Sequence, residues 1–261
     1  MPTVFFKRSI AMKFDVAVPC FFGGEDFCEA IRKIKALGFN AVETYGWKNL
    51  DSDKVKTVCE ETGVKIVSLC TTSFDLTKAE CQQEWLVGLE ESCIAANKMG
   101  VNKLITQSGP DTGEAREIQH NNIVNTLKAA VPMLEKYGIT VMLEPLNTLV
   151  DHKDTYLYSS REAFDIVREV GSEYVKVIYD IYHQQVTEGN IIANLTANID
   201  LVAHIHAAGT PGRHELQSGE CDYKNIFAAI DKTGYSGYCG LEYGPTCPPE
   251  ESLASFREYY L

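Results

Sequence analysis

Glu144, Asp180, His206 and Glu242 are four side chains able to hold a divalent cation, and each closes a short apolar run in this chain. The runs, Ile139 to Leu143, Val175 to Tyr179, Leu201 to Ile205 and Gly237 to Leu241, recur at about the spacing of a strand-plus-helix unit. One carboxylate after a strand means little, because backbone N–H groups or a neighbouring Arg can satisfy it. Four donors on successive strand ends converge only when the strands are parallel and curl into a barrel. Two Glu, one Asp and one His form a hard oxygen and nitrogen set, suited to Mn2+, Mg2+, Co2+ or Zn2+ with positions left open for substrate. The lack of sulfur donors argues against a closed structural zinc site.

A pair of carboxylates at such a centre can do more than coordinate. Glu144 and Glu242 are expected to face each other across the barrel mouth. There one removes a proton from a C–H acidified by a neighbouring carbonyl, and the other returns a proton at the adjacent carbon or the opposite face. The plainer alternative is that both are only ligands. His183 follows Asp180 by three residues on what reads as a loop. Its neutral imidazole can meet a substrate hydroxyl or an oxyanion, or be tied to a nearby carboxylate. Arg213 offers a planar fork to a substrate carboxylate, or a surface ion pair to Glu215 or Glu220. Trp47 either walls the pocket or packs on the adjacent helix. His204 lies two residues before His206 and reads as a satisfied core histidine one layer deeper.

The elements needed to position these groups follow from the hydrophobic patterning. Strands are predicted at Lys13 to Val18, Asn40 to Glu43, Val64 to Leu69 and Lys103 to Thr106, then at the four runs that close on the candidate ligands. Helices are predicted between them: Glu25 to Leu37, Asp51 to Thr62, Thr77 to Met99, Glu114 to Tyr137, Ser159 to Val170, a weaker Glu188 to Ile199 interrupted by Gly189, Asp222 to Thr233 and Pro248 to Tyr259. Strict alternation of strand and helix gives an α/β fold, a single (β/α)8 TIM barrel. At 261 residues the chain has the length of one such domain, with residues 1–11 as a short extension and Met12 as an alternative start. The loops that follow strands carry the polar, Gly- and Pro-containing segments, and in a barrel they open on one face.

A net charge of -12 argues against a polyanionic partner such as nucleic acid, whose binding draws on Lys and Arg, though local basic patches are compatible with it. The nine cysteines are odd in number and lack a Cys-x-x-Cys pair, so they read as reduced and buried. No run is long and apolar enough for a membrane span and no secretory signal is evident, which together predict a cytoplasmic protein. No glycine-rich phosphate loop or Gly-x-Ser-x-Gly elbow is present, so nucleotide cofactors and acyl transfer lack an anchor. A homo-oligomer built through the outer helices is compatible with this composition.

Three segments carry a family resemblance: Leu143-Glu144-Pro145-Leu146-Asn147, the run from Tyr179-Asp180-Ile181-Tyr182-His183 to Gly189-Asn190, and Pro211-Gly212-Arg213-His214-Glu215. They resemble the hydroxypyruvate isomerase family of the xylose isomerase-like barrels, related to the D-tagatose/D-psicose (ketose) 3-epimerases. The resemblance implies an isomerase with one divalent metal ion, Glu144 and Glu242 as acid and base, and Asp180 and His206 completing the metal shell. It also implies that His183 and Arg213 contact a small hydroxy-carbonyl or sugar substrate. The chain departs at His204-Ile205-His206-Ala207-Ala208-Gly209, where better-known hydroxypyruvate isomerases resemble His-Ile-Gln-Ile-Ala-Asp and the 3-epimerases carry the His. Hydroxypyruvate is the expected substrate. A free ketose, a DNA-repair endonuclease on the same barrel and a non-catalytic sugar-binding barrel are the alternatives.

Overall fold

The strands of this protein are short, and each sends every second side chain into the interior of a ring. In the computed structural model, which describes residues 12–72 and 75–261, nine parallel strands form one sheet. They are β1 (Lys13–Ala17), β2 (Ala41–Glu43), β3 (Lys65–Ile66), β4 (Leu69–Cys70), β5 (Lys103–Gln107), β6 (Thr140–Glu144), β7 (Val175–Asp180), β8 (Val202–Ala207) and β9 (Tyr238–Leu241). The order β3-β2-β1-β9-β8-β7-β6-β5-β4 leaves β3 and β4 at the two ends of the sheet, and these are the halves of one run. Val67 N donates to Val42 O at 2.8 Å and Cys70 N to Tyr45 O at 3.2 Å, while Thr71 N donates to Ile105 O at 2.9 Å. That run therefore draws the sheet into a nearly closed barrel. The third predicted strand becomes two because the run changes neighbours at Val67 and Ser68, from β2 to β5, and neither ladder is continuous across it. The predicted extension, residues 1–11, and with it the choice of start, lies outside the described residues.

The helices that wrap the sheet are α1 (Val18–Phe22), α2 (Phe27–Ala36), α3 (Ser52–Thr62), α4 (Gln82–Lys98), α5 (Arg116–Tyr137), α6 (Ser160–Val170), α7 (Ile181–Thr187), α8 (Ile191–Ala197), α9 (Tyr223–Asp231) and α10 (Pro249–Tyr260). Two of them correct the sequence reading. Where a loop is expected between the first strand and the helix from Glu25, the chain forms α1, with Pro19 at a first-turn position where its missing N–H is harmless. The weak helix expected from Glu188 to Ile199 is shorter, and α7 precedes it, starting directly at Asp180. Gly189 and Asn190 separate the two with left-handed backbone, φ 63° and 51°.

Outward side chains of the strands, among them Val16, Val42, Leu143, Val177, Ile205 and Leu241, pack against the helices in the main core. Each such aliphatic side chain, fully buried, contributes about 1.5–3 kcal/mol. Inside the ring the filling is split. Ile105, Met142 and Ile178 form a small apolar cluster. Asp15, Glu43 and His204 are also buried, at no more than 1% exposure. Burying a carboxylate costs several kcal/mol unless it is paired, so this polar interior works against stability and points to a functional role. Strand register brings the polar positions level with one another, since Asp180 pairs with His206 and His206 with Gly240 across neighbouring strands.

Candidate metal centre and active site

Glu144 ends β6, Asp180 ends β7, His206 is the penultimate residue of β8, and Glu242 directly follows β9. Alternation turns all four inward, and one ligating atom from each lies within 4.8 Å of the others, every residue being buried. His206 Nδ1 stands 3.1 Å from Glu242 Oε2 and 3.7 Å from Glu144 Oε1. Asp180 is also the N-cap of α7: its Oδ1 accepts from Tyr182 N at 2.8 Å and His183 N at 3.4 Å. Capping fixes the carboxylate so that Oδ2 points to the centre. Glu242 is held from both sides, accepting from Tyr45 Oη at 2.5 Å and from Arg213 Nη2 at 2.5 Å.

Electrostatics in this space favour a cation. Burial pushes the Asp180 carboxyl up to about 7, with the Arg213 guanidinium pulling it back and Glu242 adding to the rise. For Glu242, burial also pushes upward, but His206 and Arg213 outweigh it and hold the carboxyl well below its ordinary range. Three carboxylates and an imidazole crowd within one cation's reach, and His206 Nδ1 has no hydrogen-bond partner among the described residues. An oxygen and nitrogen donor set of this composition fits a divalent metal ion.

His183 sits in the first turn of α7, and the expectation of a loop position is corrected by the Asp180 cap that starts the helix there. Its Nδ1 accepts from Asn147 Nδ2 at 2.7 Å and faces Asn147 N at 3.4 Å. The Asn147 amide cannot be turned around, since its Oδ1 already accepts from Val150 N and Asp151 N at 3.0 and 3.1 Å. His183 therefore carries its proton on Nε2, 3.5 Å from Asp180 Oδ2 and without another partner among the described residues. Burial, with Arg213 close by, lowers its pKa to about 3. It is a neutral donor presented to the centre.

Arg213 pairs with Glu242 and Asp180, the latter at 3.4 Å, and lies over the Tyr182 ring at 5.2 Å. The surface pairing with Glu215 or Glu220 does not form, because Glu215 accepts from Thr246 N, Thr246 Oγ1 and Ser252 Oγ, and Glu220 from Gln185. Arg213 holds a left-handed φ of 58°, a conformation that costs a non-glycine residue about 1–2 kcal/mol. Trp47 lines the same cavity as Glu144, His206 and Glu242, its Nε1 donating to Cys70 O at 3.2 Å. The cavity measures about 700 Å³, with Leu50, Leu146 and His152 on its walls.

His204 lies beneath, fully buried, with Nε2 3.2 Å from Glu43 Oε2, while its Nδ1 finds no partner among the described residues. It is buried as expected but satisfied on one side only. Sequence reasoning missed Glu43, Tyr45 and Asn147 as members of the site. Glu43 closes the apolar run of β2 as the other four close theirs, and that signal was available. The cysteines are free, yet Cys247 is exposed and five others are part-exposed, so the reading of all nine as buried is corrected.

The model of the xylose isomerase-like TIM barrel family matches residues 31–259. The chain belongs to that family. Hydroxypyruvate isomerase of Escherichia coli is 28% identical over 257 residues, covering 95% of this chain and 99% of the relative. The 2-oxo-tetronate isomerase of Haemophilus influenzae is 27% identical over 258 residues, with the same two coverages, 95% and 99%. Among solved barrels of this family's fold, a Brucella melitensis protein described as an AP endonuclease, family 2, superposes with a TM-score of 0.90 at 25% identity, covering 96% of this chain and all of that one. D-Allulose 3-epimerase from Methylomonas superposes with a TM-score of 0.79 at 17% identity, covering 97% of this chain and 99% of that one, a likeness of fold. The resemblance read from the motifs is borne out. No helix among the described residues is long and apolar enough to cross a membrane.

Proposed function

We propose that this chain is a divalent-cation-dependent isomerase that moves a proton through an enediolate on a small hydroxy-carbonyl substrate, converting hydroxypyruvate to tartronate semialdehyde. The observation that carries this reading is the meeting of Glu144 and Glu242 at His206 Nδ1, beside Arg213 and the His183 Nε2–H. A cation held by Glu144, Asp180, His206 and Glu242 supplies Lewis acidity to the substrate carbonyl and its neighbouring hydroxyl.

Arg213 orients the substrate carboxylate with the guanidinium N–H groups that its ion pairs leave over. Glu144 lacks the Tyr45 and Arg213 contacts that hold Glu242 and is the freer carboxylate, so it takes the proton from C3. Glu242, which accepts from the Tyr45 hydroxyl at Oε1, returns to C2 a proton drawn from solvent, and Glu144 releases its own to solvent, so that both carboxylates end the turnover ionised as they began. His183 donates from Nε2 to the oxygen on which negative charge grows. The hydroxyl proton passes from O3 to O2, and substrate and product are isomers with nothing gained or lost.

A ketose 3-epimerase is the second reading, favoured by the cavity of about 700 Å³, which has room well beyond three carbons. The same two carboxylates would then act on opposite faces of one carbon. An endonuclease fits less well: β4 ends in Cys70 and β5 in Gln107, without further imidazoles, and among the described residues Lys48 and Arg213 are the only cationic side chains on the cavity wall.

The test is to strip the protein with a chelator, reload it separately with Mn2+, Mg2+, Co2+ and Zn2+, and offer hydroxypyruvate, 2-oxo-tetronate and D-allulose. Turnover of hydroxypyruvate that disappears with the chelator and returns with a cation is expected. Turnover of D-allulose alone would move the assignment to the second reading, and no turnover with any cation would overturn both.

A further inference from the structure

Glu43 is the least explained group near the centre. It ends β2, is 1% exposed, and lies at His206 Nε2, whereas Glu144 and Glu242 face Nδ1. Its Oε1 is 2.9 Å from His206 Nε2, a close approach of the carboxylate to the ring nitrogen, although neither atom completes a hydrogen bond among the described residues. Its Oε2 accepts from Ser68 Oγ at 2.8 Å and stands 3.2 Å from His204 Nε2. Ser68 sits in the break between β3 and β4, so the interruption of that strand run is also where Glu43 gains its donor. Gly240 supplies a further constraint: a Cβ there would come within 2.6 Å of Glu43 Oε1, 2.8 Å of His206 Cδ2 and 3.2 Å of His204 Nε2. Only glycine leaves room for the three side chains to meet.

We infer that Glu43 is the positioning residue for His206: its fixed carboxylate selects the Nε2–H tautomer and leaves Nδ1 as the ligating atom. The inference rests on the reading of Glu144, Asp180, His206 and Glu242 as a cation site. An imidazole can offer a lone pair from only one nitrogen while the other keeps its hydrogen, and the partner of that hydrogen decides which. A carboxylate in this place also fixes the ring plane and makes the ligand more basic, and losing such a partner typically weakens metal affinity about 10- to 100-fold. Replacing the Glu43 carboxylate by an amide offers His206 Nε2 a donor as well as an acceptor, so the tautomer is no longer dictated. Glu43, His204 and His206 are themselves close enough to hold a second cation. We favour positioning, because Ser68 and His204 already occupy Oε2 and Oε1 is turned onto His206 Nε2 at 2.9 Å.

The test compares Mn2+ and Zn2+ binding by calorimetry in the parent chain, Glu43→Gln and Gly240→Ala, with circular dichroism as a check on folding. Nitrogen-15 spectra of the Zn2+-loaded parent, labelled at histidine, report the His206 tautomer without any substitution. Expected are one cation per parent chain, a His206 protonated at Nε2 and not at Nδ1, and affinity lowered about 10- to 100-fold in Glu43→Gln at unchanged stoichiometry. A proton on Nδ1 in the loaded parent, or equal affinity in a folded Glu43→Gln, overturns the role of Glu43. Two cations in the parent and one in Glu43→Gln overturns it as well, making Glu43 a ligand. A parent chain that binds no divalent cation overturns the site reading and this inference with it.

Discussion

Asn147 donates from its side-chain amide to His183 Nδ1 at 2.7 Å, and this contact decides which nitrogen of His183 faces the reaction. The amide is locked by Val150 N and Asp151 N, and it also donates to Asp151 Oδ2 at 2.7 Å. A residue on the loop after β6 thereby sets the chemistry of a residue on α7.

Asn147→Asp replaces that donor by an acceptor. His183 then carries its hydrogen on Nδ1, and Nε2 stops being a donor toward substrate. Loss of one such donor is expected to lower kcat by roughly 10²-fold, and the melting temperature falls as well, because the new carboxylate faces Asp151 Oδ2 where the amide had donated. Steady-state kinetics with hydroxypyruvate check this, and full activity in a folded variant would remove His183 from the mechanism.

Arg213→Lys keeps the charge and loses the fork. The ammonium cannot serve Glu242, Asp180 and a substrate carboxylate with fixed directions. KM for hydroxypyruvate is expected to rise about 10- to 100-fold, a loss of roughly 1.4–3 kcal/mol, while binding of an uncharged ketose changes far less. Equal losses for acid and ketose would restrict Arg213 to holding Glu242.

Glu215 ties the loop that carries Arg213 to the start of α10. Burial pushes its carboxyl upward, but the Thr246 N–H and the Thr246 and Ser252 hydroxyls outweigh that and leave it below its ordinary value. A carboxyl whose folded pKa is depressed stabilises the fold above its unfolded pKa, about 4.3, and that contribution fades as pH falls through the folded value. Glu215→Gln is therefore expected to be less stable than the parent at pH 7, with the gap narrowing in acid. Melting curves between about pH 3 and 7 test the sign, and a gap that widens in acid contradicts it.

The fold was legible because strand and helix periodicities alternate without a break, and the four candidate ligands were legible because each closes an apolar run. What escaped depends on tertiary neighbours. The third strand run reads as continuous in sequence, and only its change of partner from β2 to β5 divides it. His183 reads as a loop residue because nothing local announces that Asp180 both faces the centre and caps a helix. Glu43 shows the same strand-end pattern as the ligands, but its place beneath His206 follows from barrel register. Asn147 and Tyr45 act through side chains brought in from 36 and 197 residues away, a distance no local pattern spans.

In the proposed reaction Glu144 and Glu242 move a proton. The most direct measurement is to run the cation-loaded protein on hydroxypyruvate in D2O and follow deuterium in substrate and product by NMR, alongside Glu144→Gln and Glu242→Gln. Solvent deuterium on carbon in the parent reaction, with its loss and a fall in kcat of at least about 10²-fold in both variants, is the predicted result. Turnover with no deuterium on any carbon, or turnover unchanged in both variants, would contradict the account.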